Sequence, residues 1–161
     1  MPYNIENQVA LISGGTSGIG YATAEILLRQ GWSVVINGRR ELHGEKALVK
    51  LRRISSKVRF VPGDVSKVSE CERIVQETVD LFGPVTALVT AAGYYEETLL
   101  SDVTEESFDE MFGTNVKGSV FLCKASLPYL RQSRGSIVTV ASDAGLQGNV
   151  ACSTYGASKG A

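Results

Sequence analysis

Five short apolar runs occur along the chain, and a longer amphipathic or polar stretch separates each from the next. The runs lie at residues 9–12, 33–37, 58–61, 86–90 and 136–141. Mainly apolar runs of this length, without regular alternation of polar residues, are typical of strands buried on both faces of a parallel sheet. The stretches between them suit helices that cross over between such strands. We therefore predict an α/β fold with a doubly wound parallel sheet, whose ligand crevice lies at the carboxyl ends of the strands.

Small polar residues and glycines mark the ends of the predicted helices. In the first helix, Ala22, Ile26 and Leu27 recur at helical spacing and are predicted to form the buried side, and Gly31 ends the helix. Ser66 is predicted as the N-cap of the third helix, because its hydroxyl can accept a hydrogen bond from the first turn.

A long helix is predicted to begin at Thr104 and to run to about Arg131. Its middle contains Gly113-Thr114-Asn115 and Gly118, which are poor helix formers. Such a cluster indicates a kink or a close approach to another element, and Asn115 could then turn its amide towards the crevice or a water molecule. A plain packing role is an open alternative.

The first strand leads into a glycine-rich turn, Ser13-Gly14-Gly15-Thr16-Ser17-Gly18-Ile19-Gly20, and a helix follows directly. Glycine permits sharp turns and lets a ligand approach main-chain N–H groups closely. The N-terminus of the following helix favours a pyrophosphate. Because a strand and a helix flank the turn as the dinucleotide motif requires, we predict a nucleotide site there. The predicted contacts are Gly14, Thr16, Ser17, Gly18, Ile19 and Gly20.

The second strand ends at Asn37-Gly38-Arg39-Arg40. An acidic residue at this exit would bind the adenosine ribose hydroxyls of NAD, whereas arginine favours the 2′-phosphate of NADP. The chain has no acidic residue here before Glu41, and Arg39 and Arg40 offer two guanidinium groups that suit a phosphate. The alternative is that both arginines are simply solvated. We predict that NADP(H) is favoured over NAD(H).

Two further strand exits offer groups that suit a nucleotide. Asp64-Val65 could accept a hydrogen bond from an adenine amino group, although Gly63-Asp64 is equally consistent with a simple turn. Ala91-Ala92-Gly93, at the exit of the fourth strand, offers the small residues that a wall against a flat nucleotide needs. The alternative is that these residues only pack tightly against the first strand.

Three residues near the end of the chain suit proton transfer. Ser142 follows the fifth strand, so its hydroxyl is expected in the crevice. Tyr155 and Lys159 are four positions apart at the start of a helix and therefore share one face. A neighbouring ammonium favours the phenolate form of a tyrosine, which makes the phenol usable as an acid or base nearer neutrality.

Together these motifs resemble those of the short-chain dehydrogenase/reductase family over essentially the whole chain. The matching positions are the glycine turn, Asn37-Gly38-Arg39, Asp64-Val65, Asn115, Ser142 and Tyr155-x-x-x-Lys159.

The resemblance implies a Rossmann-like fold and an oxidoreductase that interconverts a carbonyl and a secondary alcohol with NADP(H). It implies that Tyr155 is the general acid/base, that Tyr155 and Lys159 both contact the cofactor, and that Lys159 binds the nicotinamide ribose. Ser142 would hydrogen-bond the substrate oxygen, and Asn115 would hold a relay water near Lys159. Asp64, Val65, Ala92 and Gly93 would complete the cofactor site.

The chain departs from the family pattern at two places. Thr90-Ala91-Ala92-Gly93 replaces the family's Asn-Asn-Ala-Gly, which removes an amide that steadies the sheet but keeps the small wall. Family members also continue beyond the position of Ala161 through two more strands and a substrate-covering segment. We therefore expect residues 1–161 to form a single NAD(P)-binding Rossmann domain, truncated after the fifth strand and poorly active by itself.

Two alternatives to an active reductase are open at this stage. One is an NADPH-binding regulatory or scaffold protein without turnover, and the other is an inactive fragment of a longer reductase. An intact set of Asn115, Ser142, Tyr155 and Lys159 argues against a pure binder, which has no need of that arrangement.

The composition limits the kinds of partner and metal site that are expected. The formal net charge of -1 gives no support for a nucleic-acid or membrane partner, so a small-molecule substrate is expected. Cys71, Cys123 and Cys152 are scattered, which suggests reduced thiols in a cytoplasmic protein and no metal site. His43 is the single histidine, so multi-histidine metal sites have little to build from. A homodimer or homotetramer is expected for the complete protein.

Overall fold

The computed structural model describes residues 7–161 and contains a five-stranded parallel sheet. The strands are β1 (Val9–Ser13), β2 (Ser33–Gly38), β3 (Val58–Pro62), β4 (Ala87–Thr90) and β5 (Ser136–Thr139). Their order across the sheet is β3-β2-β1-β4-β5. This confirms the predicted α/β fold with a parallel, Rossmann-like sheet.

Six α-helices flank the sheet within the described residues. They are α1 (Gly18–Arg29), α2 (Glu41–Leu51), α3 (Val68–Phe82), α4 (Glu105–Phe112), α5 (Gly118–Ser133) and α6 (Ser153–Gly160). Short 3-10 turns occur at Leu100–Asp102 and Asp143–Gly145. Across residues 7–161, none of the helices has both the length and the apolar character needed to cross a membrane.

The core has two apolar layers, one on each face of the sheet. On one face, Ala10 and Ile12 of β1 pack with Ala24 and Leu28 of α1. On the other face, Leu11 packs in the layer that α3 and α5 cover. Alternate residues of β1 therefore serve opposite layers, which is why its sequence is apolar throughout.

The buried side of α1 differs from the prediction. Gly20, Ala24 and Leu28 are buried, and the predicted Leu27 is partly buried against this core, whereas Ala22 is exposed and Ile26 is 54% exposed. Ala24 and Leu28, four positions apart on one face of α1, pack in the core with β1, so the buried face is not the face that carries Ile26.

Ser66 is not the N-cap of the third helix. Its backbone N–H and its hydroxyl both donate to Asp64 Oδ1, at 3.1 and 2.8 Å. The helix begins at Val68, and Lys67 occupies the N-cap without a capping side chain. Ser66 therefore belongs to the turn that precedes the helix.

The predicted long helix is interrupted at the position of its weak helix formers. Thr104 caps α4 reciprocally with Ser107, as its residue type suggests. Residues Gly113–Lys117 then form a π-helical turn, and α5 continues from Gly118. A π turn adds one residue to a helical turn and is frequent at functional sites.

The strand register aligns the carboxyl ends of the strands with one another. Ser13 of β1 lies opposite Asn37 and Thr90, and Thr90 lies opposite Thr139. Asn37 in turn lies opposite Val61. The residues that follow these positions therefore meet at a single edge of the sheet.

β5 pairs with β4 and with no other strand of the described region. Its side chains are exposed, and Ile137 and Val138 are 41% and 54% exposed. Ile137 and Val138 therefore lie on an exposed edge strand of the sheet.

Candidate functional site

A cleft of about 720 Å³ opens at the carboxyl edge of the sheet. It is lined by Gly14, Thr16, Ser17, Gly18, Ile19, Gly20, Asn37, Gly38, Arg39, Arg40, Gly63, Val65, Ala91, Ala92, Gly93 and Thr114. Every residue predicted to contact the cofactor lines this cleft except Asp64, Tyr155 and Lys159. The cleft volume lies in the range usual for small-molecule sites, about 300–1,000 Å³.

The glycine turn is closely packed as well as sharply bent. Gly14 has a φ of +65°, and a Cβ there would lie 2.6 Å from the Ala91 carbonyl oxygen. A Cβ on Gly20 would lie 2.5 Å from the Gly14 carbonyl oxygen. Both positions therefore require glycine to bring the turn against β4 and the first turn of α1.

The N-terminus of α1 is suited to an anion. Its N-cap, Ser17, makes no side-chain capping bond, and the first turn contains no acidic residue. Gly18 has a φ of +54°, with no atom within 4 Å of where a Cβ would stand. Unpaired N–H groups beside open space fit the pyrophosphate of a dinucleotide.

Arg39 lines the cleft and forms an ion pair with Glu110. Its Nη1 atom lies 3.2 Å from Oε1 of Glu110 on α4, and the side chains are 49% and 45% exposed. Arg40 also lines the cleft, as the N-cap of α2. A phosphate that used Arg39 would meet a guanidinium that a carboxylate already contacts.

Two polar residues at neighbouring strand ends hold the backbone. The buried amide of Asn37 donates to the carbonyl oxygens of Val61 and Gly63, at 3.0 and 3.2 Å. The Asp64 carboxylate accepts both hydrogen bonds from Ser66 and is not among the residues that line the cleft. These contacts support the turn interpretation of Asp64, and adenine binding by Asp64 stays a prediction.

Ser13 supports the loop that follows β4. Its hydroxyl accepts a hydrogen bond from Ala92 N–H at 3.2 Å, and its carbonyl oxygen accepts one from Ala91 N–H. These two bonds hold the Ala91-Ala92-Gly93 wall although Ala91 carries no side-chain amide.

Asn115 lies in the π turn and is 7% exposed. Its Oδ1 accepts from the backbone N–H of Tyr94 at 2.7 Å, and its Nδ2 donates to the Tyr94 carbonyl oxygen at 3.0 Å. The same Nδ2 donates to the Ser158 hydroxyl at 2.8 Å. Both amide hydrogens therefore hold the loop after β4 against α6, and a relay water near Lys159 stays a prediction.

Lys159 connects α6 to the cleft. Its ammonium donates to the Val140 carbonyl oxygen at 2.8 Å, and burial lowers the pKa of this lysine. A Cβ on Gly93 would lie 3.7 Å from Lys159 Nζ and 3.6 Å from Asn115 Oδ1. Lys159 therefore stands beside the small wall at one end of the cleft.

The Tyr155 ring lies near Lys159 and against a second tyrosine. Lys159 Nζ is 6.0 Å from the centre of the Tyr155 ring. The Tyr95 ring meets Tyr155 edge-to-face, with centroids 4.7 Å apart at 82°. The Tyr95 hydroxyl bonds to Glu97, and it lies 3.7 Å from the thiol of Cys152.

Ser142 begins the 3-10 turn Asp143–Gly145, and its hydroxyl accepts a hydrogen bond from Ala144 N–H at 3.2 Å. This turn packs tightly on α6, since a Cβ on Gly156 would lie 2.8 Å from the Ala144 carbonyl oxygen. The close packing places Ser142 on the loop next to the helix that carries Tyr155.

Sequence reasoning did not identify Glu110, Tyr95 or Ser158 as parts of the site. Tyr95 had a detectable signal, because it follows the exit of β4 by only a few residues. Glu110 and Ser158 had none, since their partners Arg39 and Asn115 lie 71 and 43 positions away.

Comparison of the sequence with known proteins identifies the family of the chain. The family model described as short chain dehydrogenase matches residues 8–161. The chain belongs to the short chain dehydrogenase family. This is an oxidoreductase family whose members bind NAD(P)(H) and act on small molecules, in agreement with the resemblance that the motifs suggested.

Short chain dehydrogenase relatives come from bacteria and from a mammal. An uncharacterised oxidoreductase of Staphylococcus epidermidis is 32% identical over 158 residues, which cover 98% of this chain and 67% of that protein. An uncharacterised oxidoreductase of Thermotoga maritima is 35% identical over 159 residues, 98% of this chain and 62% of that protein. The L-fucose dehydrogenase of Mus musculus is 34% identical over 155 residues, 96% of this chain and 55% of that protein. The chain thus spans roughly half to two thirds of the length of these relatives.

Proposed function

We propose that this chain carries the cofactor-binding and reactive residues of an NADP(H)-dependent oxidoreductase that interconverts a carbonyl and a secondary alcohol. The observation that best supports this proposal is the position of Lys159, which lies beside both the Tyr155 ring and Gly93 of the cleft wall. A group able to move a proton thus adjoins one end of a site suited to a dinucleotide.

The cleft residues fit a dinucleotide with a 2′-phosphate. The N-terminus of α1 offers unpaired N–H groups for the pyrophosphate, and Arg39 and Arg40 offer charge-assisted hydrogen bonds for the phosphate. Gly38 carries no carboxylate that would favour the ribose hydroxyls of NAD(H).

When bound, the nicotinamide ring would supply the hydride to, or accept it from, the substrate carbon. Tyr155 would donate its phenolic proton to the carbonyl oxygen during reduction and take it back during oxidation. The ammonium of Lys159 would stabilise the phenolate that forms, since an opposite charge nearby favours the ionised state. Ser142 would hydrogen-bond the substrate oxygen and orient it.

The replacement Tyr155→Phe tests the proton-transfer role in the full-length protein. We expect turnover of ketones with NADPH to fall at least about 100-fold, because general acid catalysis is typically worth 10²–10⁴-fold. The affinity for NADPH, measured by calorimetry, should change less than about twofold, because the hydroxyl supplies little binding energy.

Tyr129→Phe is the matched control, since that hydroxyl belongs to a residue of α5 and donates to the exposed Gln76 at 3.4 Å. It should leave turnover unchanged. The proposed mechanism would be refuted if Tyr155→Phe reduced ketones at the wild-type rate. A regulatory protein would be favoured if the wild type bound NADPH but turned over no carbonyl compound.

Arg39→Ala tests the cofactor assignment. We expect the ratio of NADPH to NADH affinity to fall about tenfold or more, because charged hydrogen bonds contribute about 1.5–3 kcal/mol. Affinity for NADH, which lacks the 2′-phosphate, should hardly change. An unaltered ratio would show that Arg39 does not bind the phosphate.

A further inference from the structure

Glu110 is a carboxylate at the place where a phosphate is expected. It lies on α4, whereas Arg39 follows β2, and 71 positions separate them in the chain. The fold nevertheless brings Oε1 of Glu110 to 3.2 Å from Nη1 of Arg39. Arg39 lines the cleft beside Gly38 and Arg40.

The charge of Glu110 reaches other groups at this end of the cleft. Partial burial, followed by the charges of Glu96 and Glu110, raises the pKa of Tyr94, while Arg39 opposes that rise. Arg39 therefore lies in an environment to which Glu110 adds negative potential. A phosphate dianion that approached Arg39 would be repelled by the same carboxylate.

We propose that Glu110 is a specificity-determining residue that competes with the 2′-phosphate of NADP(H) for Arg39. This inference rests on the proposed function, in which Arg39 binds that phosphate. The ion pair is half exposed, and exposed pairs are weak enough for a phosphate to displace them. Glu110 thereby limits the preference for NADP(H) over NAD(H).

Glu110 could instead help Arg39 to bind the phosphate, and the two roles predict opposite changes in NADPH affinity when the carboxylate is removed. If the carboxylate served to orient Arg39 for the phosphate, its removal would weaken NADPH binding. If it competes with the phosphate, its removal strengthens NADPH binding and leaves NADH binding alone.

The experiment measures the affinities of NADPH, NADH and adenosine 2′,5′-bisphosphate for the full-length protein and for Glu110→Gln. Glutamine keeps the size of the side chain and removes its charge. We expect NADPH and the bisphosphate to bind about three- to tenfold more tightly to the variant, with NADH changed less than about twofold. The gain should shrink in high salt, because exposed charges are screened.

Two further variants separate the possible outcomes. Asp109→Asn removes the same charge from the adjacent exposed position of α4 and should alter no affinity by more than about twofold. In an Arg39→Ala background, Glu110→Gln should have a smaller effect on NADPH.

Weaker or unchanged NADPH binding by Glu110→Gln overturns the inference, as does an equal gain in Asp109→Asn. If Arg39→Ala still lowers the NADPH to NADH ratio in that case, the cofactor assignment stands and only the role of Glu110 is refuted. An Arg39→Ala variant with an unaltered ratio refutes both.

Discussion

Tyr155 is oriented by a residue outside the Tyr-x-x-x-Lys motif. The edge-to-face contact with Tyr95 fixes one side of its ring, and Lys159 lies over the ring from within the helix. The loop that carries Tyr95 is held in turn by the hydrogen bond from Thr98 N–H to the Ala151 carbonyl oxygen, at 2.7 Å. The motif supplies the phenol, and the loop after β4 sets its orientation.

Cys71 should be unreactive in the folded protein. Its thiol donates to the Val65 carbonyl oxygen at 3.1 Å, and burial followed by the charge of Asp64 raises its pKa to about 11. Because the thiolate is the nucleophile, on the order of one thiol in a thousand is reactive at pH 8. We expect iodoacetamide at pH 8 to leave Cys71 unmodified by mass spectrometry, and to modify it fully in urea.

The sign of this shift sets the pH window of the effect. A raised pKa keeps the thiol protonated through neutral pH, so protection should persist to pH 9 and decline only as the pH approaches 11. Modification of native Cys71 at pH 8 at the rate seen in urea would contradict the burial of the thiol.

Single residues show where sequence reasoning reaches its limit. The types of Arg39, Ser142, Tyr155 and Lys159, together with their positions at strand exits, were enough to propose their chemistry. The pairing of Arg39 with Glu110 was not predictable, because it depends on how α4 approaches β2. Ser66 was misassigned because a serine suits a turn as well as an N-cap, and the nearby Asp64 decided between them.

At the scale of elements, the π turn places Asn115 between two structures that are distant in sequence. The amide bridges Tyr94, after β4, and Ser158, on α6. An uninterrupted α-helix would turn the following residues by a different angle, so the extra residue of the π turn contributes to this bridge.

Replacement of this amide should loosen both elements. For Asn115→Ala we expect the free energy of unfolding to fall by about 2–3 kcal/mol, because buried backbone groups lose their partners. The midpoint of thermal unfolding should fall by about 5–10 °C, as measured by calorimetry.

Ser119→Ala is the control for Asn115→Ala, since it removes only a hydroxyl that donates to the carbonyl oxygen of Asn115 itself. Its midpoint should stay within about 2 °C of the wild type. Equal destabilisation by both replacements would show that Asn115 does not bridge the two elements.

Element positions were largely predictable, because apolar runs of strand length and glycine or proline boundaries are local signals. The side of α1 that is buried against the sheet was not predictable. Ala24 and Leu28 pack in the core while the more apolar Ile26 is exposed, so the orientation of the helix on the sheet and not hydrophobicity alone decides which face is buried. The cluster Gly113-Thr114-Asn115 predicted an irregularity but not its π geometry, which depends on the partners of Asn115.

At the scale of the molecule, the exposed edge of β5 should govern association of the 161-residue chain. Val138 is 54% exposed and lies opposite Val89 of β4, and within residues 7–161 its strand pairs with no second strand. Unpaired apolar edges invite pairing with other chains, and a lysine there discourages it. We expect Val138→Lys to lower the fraction of self-associated protein in sedimentation velocity.

Val49→Lys is the matched control, because Val49 is an exposed valine on a helix and offers no free strand edge. It adds the same charge and should have a much smaller effect. Equal effects of the two lysines would indicate that net charge, and not the exposed edge of β5, determines self-association.

The order of the strands also separates two groups of site residues along the sequence. The segment from β1 to β3 contributes the glycine turn and Arg39, and the segment from β4 to α6 contributes Ser142, Tyr155 and Lys159, to which we assign the chemistry under the proposed function. Under the proposed function, recombination between relatives at a point near residue 66 would exchange the preferred coenzyme and keep the residues assigned to the chemistry. Glu110 would stay with the second segment, so a hybrid could acquire an arginine without its opposing acid and favour the phosphorylated coenzyme more strongly than either parent.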